Sequence, residues 1–242
     1  MYAMAGHSKW STIKHKKAKE DAKRGKAFTK LIKEITVAAR LGGGDLAGNP
    51  KLRLLLEKAK EINMPKENAE RAIKKGTGEL PGVSYESVTY EGYGPYGIAV
   101  MVDTLTDNKN RTVSDMRRLF SSKGGNLAES GAVSWIFAKK GLVKASGDEI
   151  SEDELLEKLI DYDVDNIAKD ETIFFITCEA KALMQIKSAT EDIGLKVESA
   201  DLEWIPKTTT KLTEEQAEKA YEFLGKLDDH DDVQNVYTNL TQ

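Results

Sequence analysis

Ten cations fall within twenty-five residues: Lys9, Lys14, Lys16, Lys17, Lys19, Lys23, Arg24, Lys26, Lys30 and Lys33. A lysine ammonium is a compact point charge on a flexible stem, suited to a phosphate oxygen rather than to a base edge. Nine of the eleven cations from Lys9 to Arg40 are lysines, against three carboxylates in the same stretch. The chemistry this spacing could do is therefore phosphate-backbone binding with little base reading. Trp10 and His15 are interleaved with the cations, and aromatics so placed can stack on unpaired bases. Trp10 can instead pack on the helical core. The candidate contacts are these ten cations with Trp10 and His15.

The charge sorts by segment along the whole chain. Residues 1–78 carry 19 Lys+Arg against 8 Asp+Glu, a net of +11, and the remaining 164 carry 17 against 32, a net of −15. A basic segment attracts polyanions and releases their counterions, whereas an acidic body repels them. The alternative use of such a lysine run is a solvated helix face. Arg111, Arg117 and Arg118 form a smaller basic group, for which surface ion pairs with the acidic body are the expected use.

Catalytic chemistry finds no matching pattern. The three histidines, His7, His15 and His230, show no metal-ligand spacing, and no Cys-x-x-Cys pair exists. The single cysteine, Cys178, follows the apolar run Ile173-Phe174-Phe175-Ile176 and reads as a small core residue in a reducing cytosol. Gly92, Gly94 and Gly97 match the count of a dinucleotide loop but precede a strand, so they read as a turn. The run Asp228-Asp229-His230-Asp231-Asp232 could attract a metal, yet such runs are more often solvated loops. Neither a cofactor nor a small-molecule substrate is expected, and no apolar run has the length of a membrane span.

The elements that must position these residues follow from periodicity. In residues 26–40, Phe28, Leu31, Ile32, Ile35 and Ala39 share one helical face, with Lys26, Lys30, Lys33 and Arg40 opposite. The spacing predicts a helix that packs by its apolar face, carries a lysine stripe outward and ends at Gly42-Gly43-Gly44. Asn49-Pro50 reads as an N-cap and first helical residue, opening a helix over 51–62. Pro65 opens another over 66–75. Beyond residue 83 strands alternate with helices. Strands are expected at 85–91, 98–102, 172–177, 196–204 and 233–237, with helices at 108–122, 151–162, 181–193 and 214–227. Residues 133–138 and 141–145 read as a hairpin. The fold class is α+β, an all-helical N-terminal domain followed by two small two-layer α/β domains. The expected boundaries are 1–80, 81–133 joined by 207–242, and an inserted 134–206, because the last helix and strand cannot form a layer alone.

Long strings in the chain carry a resemblance. They are Ala5-Gly6-His7-Ser8-Lys9-Trp10, Ile13-Lys14-His15-Lys16-Lys17, Ala22-Lys23-Arg24-Gly25-Lys26, Asn63-Met64-Pro65, Tyr90-Glu91-Gly92-Tyr93-Gly94-Pro95, Thr106-Asp107-Asn108-Lys109-Asn110-Arg111-Thr112 and Gly124-Gly125-Asn126-Leu127. With these the sequence resembles the YebC/PmpR family from Ala5 to about Tyr237. The resemblance implies a three-domain cytoplasmic protein without enzymatic activity. It implies DNA-binding transcriptional regulation, or, as in the mitochondrial translational activators, work on translation through ribosomal or transfer RNA and the ribosome.

Overall fold

The computed structural model describes Trp10, residues 24–147 and residues 150–241. Three helices come first: α1 (Arg24–Gly42), α2 (Pro50–Glu61) and α3 (Lys66–Thr77). Their apolar stripes meet in one core of Leu31, Ile35, Ala39, Leu52, Leu55, Ala59 and Ala72. Asn49 caps α2 by accepting from the Leu52 amide at 3.0 Å, and its own amide donates to the Ala38 and Gly43 carbonyls. One side chain thus ends α1 and starts α2. Helix α3 continues through Gly76 to Thr77 and stops at Gly78, whose φ of +86° is the left-handed C-cap. Gly76 stays inside the helix because α1 crosses it closely. A Cβ there would run into the Thr36 carbonyl and the Ala39 side chain.

Two four-stranded antiparallel sheets follow. The first is built from β1 (Glu86–Tyr93), β2 (Ala99–Thr106), β3 (Asn126–Ala128) and β9 (Val233–Thr238), in the order β3-β1-β2-β9. Helices α4 (Lys109–Ser121) and α7 (Glu214–Asp228) cover one face. Ile98, Val100, Val102, Met116, Phe120, Phe223 and Val236 are buried between them. The glycine-rich segment is a 3-10 turn, Pro95–Gly97, joining β1 to β2. The second sheet holds β4 (Phe137–Ser146), β5 (Val164–Asp170), β6 (Ile173–Cys178) and β7 (Lys196–Pro206), in the order β5-β6-β4-β7. Helices α5 (Glu152–Lys158) and α6 (Leu183–Asp192) close its core around Val143, Leu155, Phe174, Ile176 and Ile186. A short parallel pair, β8 (Thr210–Lys211) with β10 (Leu240–Thr241), finishes the described chain. The fold is α+β with a helical N-terminal region.

The expected hairpin differs from the sequence reading. Over 133–145 the chain forms a 3-10 turn at Ser134–Ile136 followed by one continuous strand, β4, paired on both edges. Gly141, expected to open the second strand, lies inside β4, where its missing side chain serves a close approach. A Cβ there would sit 2.6 Å from the Cys178 Sγ. Cys178 itself is fully buried, and burial pushes its thiol up to about 11, as befits a core residue.

Candidate nucleic-acid interface

Helix α1 has two occupied faces. Its apolar face meets α2 and α3. Its lysine face meets the acidic loop after α7: Lys26 and Arg40 stay exposed as the spacing predicts, whereas Lys30 and Lys33 turn inward, which corrects the outward stripe at those two positions. Lys26 Nζ donates to the Asp229 carbonyl at 3.0 Å, and Lys30 Nζ donates to the Asp228 carbonyl at 2.7 Å. Lys33 is 7% exposed and donates to Asp232 Oδ1 at 2.6 Å and to the Asp231 carbonyl at 2.9 Å. Its third proton points to the Leu105 carbonyl at 3.3 Å. A stripe at i, i+4, i+7 therefore matches a five-residue acidic run almost two hundred residues away. Water is excluded at its far end, so Lys33 is removed from the phosphate-contact set and becomes a buried ion-pair residue.

Asp232 organises the corner. Besides Lys33 it accepts from Arg111 at 2.9 Å and from the Thr112 hydroxyl at 2.8 Å. Burial alone would raise its carboxyl, but these hydrogen bonds outweigh burial and hold it down to about 2. Arg111 also pairs with Asp107, and Arg118 with Asp115, so both arginines serve ion pairs. His230 contacts Asp115 through Nε2 at 3.3 Å and accepts the Asp232 amide on Nδ1. Between α1 and this loop lies a polar cleft of about 630 Å³ lined by Lys26, Thr29, Tyr85, Arg111 and His230 among others. Its cations face carboxylates and carbonyls at close range, so the cleft works as a joint. Among the described residues no group of His, Cys, Asp and Glu is arranged to hold a metal.

Trp10 also takes a place the sequence left open. It is 2% exposed, and its indole N–H donates to the Val236 carbonyl at 3.0 Å. Its ring stacks on Tyr221 at 6.2 Å between centroids, inside the core of the first sheet and not of the helices. A ring so enclosed has no face for a base, so Trp10 leaves the stacking set. Lys9, Lys14, His15, Lys16, Lys17, Lys19 and Lys23 lie outside the described residues, and Arg24 opens α1 without a described side chain. On the helical unit Lys51, Arg53, Lys60, Lys66, Arg71, Lys74 and Lys75 are exposed, with Lys66 paired to Glu70 at 3.3 Å. Sequence reasoning passed over these because α2 and α3 carry interspersed carboxylates.

Two more residues escaped the sequence reading. Lys58 of α2 reaches Asp201 of β7 at 2.8 Å. Glu91 is 5% exposed and accepts the amides of Gly131, Val133 and Ser134 at 2.8–2.9 Å. Neither carries a local signal, since each partner is distant in sequence. Among the described residues no helix is long and apolar enough to cross a membrane.

Comparison with known proteins places this arrangement. Residues 8–79 match the model of the TACO1/YebC protein N-terminal domain, and residues 85–240 match that of the TACO1/YebC second and third domain. A probable transcriptional regulatory protein of Geobacter sulfurreducens is 52% identical over 98% of this chain and 96% of its own. One of Persephonella marina, bearing the same description, is 52% identical over the same shares. The crystal structure of a conserved hypothetical protein from Aquifex aeolicus superposes with a TM-score of 0.84 at 47% identity, over 92% of each chain. The chain belongs to the TACO1/YebC family.

Proposed function

We propose that the protein is a non-enzymatic nucleic-acid-binding regulator that grips the phosphate backbone through its basic N-terminal stretch. Duplex DNA is its first ligand. The observation that carries this is the segregation of charge, +11 on residues 1–78 against −15 on the rest. The names of the relatives, probable transcriptional regulatory proteins, support it. With Lys26, Lys30 and Lys33 engaged by the loop after α7, the grip rests on Lys9, Lys14, Lys16, Lys17, Lys19, Lys23 and Arg24, with His15 among them. The exposed cations of α2 and α3 extend it. A second reading, ribosomal or transfer RNA as ligand and translation as the process, is favoured by the lysine bias, which suits a backbone of any sequence.

Salt dependence of binding tests the proposal. With six to eight phosphate contacts on duplex DNA, log K against log salt falls with a slope of about −5 to −7. Random duplexes bind within about tenfold of one another, short of the thousandfold or more of a dedicated operator. A slope near zero overturns the phosphate grip. One duplex preferred a thousandfold would show instead that an element beyond the lysines reads bases.

A further inference from the structure

We propose that the rim joining the two sheets carries a base-stacking platform for single-stranded nucleic acid, with the Trp135 indole as its surface. This rests on the nucleic-acid reading above and adds a second contact, on the acidic body rather than on the basic stretch. Trp135 is 65% exposed and Tyr93 39% exposed. Both polar ends are tied to one acceptor, for the Trp135 indole N–H donates to the Ala132 carbonyl at 3.0 Å and the Tyr93 hydroxyl donates to it at 3.2 Å. The hydrogen-bonding needs of both side chains are met by the protein, while most of the Trp135 side chain stays exposed. Neither ring is paired with another aromatic among the described residues.

The platform is rigid by construction. Glu91 receives the Val133 and Ser134 amides immediately before Trp135 and the Gly131 amide before those. Lys207 Nζ donates to the Trp135 carbonyl at 2.9 Å. A buried carboxylate, an exposed lysine and a shared carbonyl thus hold one large ring in a fixed pose. Such pre-organisation lowers the entropy lost on binding. A base is the occupant this rim fits. Residues 129–135 are Glu-Ser-Gly-Ala-Val-Ser-Trp, and the one large aliphatic among them, Val133, is buried, so the segment that carries the ring adds no exposed aliphatic side chain for a protein partner to cover. Lys207, and Lys139 farther along β4, are exposed and supply charge for the flanking phosphates, against Glu129 in the same loop. Every base offers a π face, so stacking here is tolerant of sequence.

The test uses the full chain with 12-nucleotide single-stranded RNA and DNA of mixed sequence and a matched duplex. Trp135→Ala is expected to weaken single-strand binding roughly tenfold to a hundredfold and to leave duplex affinity within twofold. Trp135→Phe keeps a smaller ring, so it retains most of the affinity and serves if the alanine variant misfolds. Trp10 is buried and Trp204 half-buried, so single strands should quench the indole emission of the wild type through Trp135, and Trp135→Phe should abolish that quenching. Single-strand affinity and quenching that survive both substitutions would overturn the platform while leaving the phosphate grip intact. That outcome would assign the rim to a protein surface. Failure of the wild type to bind any of the three oligonucleotides would overturn the grip and the platform together.

Discussion

Asp232 collects hydrogen bonds from three side chains on two elements: Lys33 of α1, and Arg111 and Thr112 of α4. A carboxylate served this way in a buried setting depends on all its donors, and removing its charge strands them. Its folded carboxyl, at about 2, lies below the ordinary 3.8. The sign follows from that order. The pair stabilises the fold fully above about pH 4 and loses this contribution as pH falls toward 2. Asp232→Asn should therefore cost roughly 2–3 kcal/mol at pH 7. The gap between variant and wild type, followed by urea unfolding, should shrink from pH 4 toward pH 2. A gap that stayed constant with pH would show that Asp232 contributes shape rather than charge. Nothing near residue 232 in the sequence announces this role, because its most important partner is Lys33.

Helix α1 has one buried apolar face and one lysine face buried only at Lys33, and each makes its own demand. Ile35 is fully buried against α2 and α3, so Ile35→Ala should cost roughly 2–4 kcal/mol through lost burial and a cavity. Gly76→Ala should cost roughly 1–3 kcal/mol by overpacking, since α3 would have to move away from the Thr36 carbonyl. Thermal unfolding of the two variants checks both, and a neutral Gly76→Ala would refute the close crossing. The apolar face was legible in the sequence because Leu31, Ile35 and Ala39 repeat at helical spacing within one segment. So was the Asn49 cap, which is local chemistry. The lysine face was legible in position and not in destination. Periodicity tells which residues share a side, and only tertiary structure tells what that side meets. The same limit put a hairpin turn between 138 and 141 where β4 runs on, and it left β3 and β5 unforeseen, since Asn126–Ala128 and Val164–Asp170 lack strong alternation.

At the scale of the molecule, the helical unit is fastened to both sheets. Lys26, Lys30 and Lys33 hold it to the loop after α7, Arg40 reaches Ser84 and the Tyr85 carbonyl, and Lys58 holds it to β7. The basic and acidic parts of the chain therefore neutralise each other partly from within. Cations of one sequence stretch divide into those that build the molecule and those left for a polyanion. This division makes a double test. Replacing Lys16, Lys17, Lys23 and Arg24 together by Ala should weaken duplex binding at least tenfold and leave the melting temperature within a degree or two. Replacing Lys30 and Lys33 by Ala should do the reverse. Breaking a buried ion pair costs about 3 kcal/mol, which for a chain of this size lowers the melting temperature by roughly 5–10 °C. Affinity measured well below that temperature should stay within about threefold of wild type. If the Lys30, Lys33 variant stayed folded and lost as much affinity as the other, the inward lysines would have to turn out to meet the ligand. The joint between α1 and the acidic loop would then open on binding.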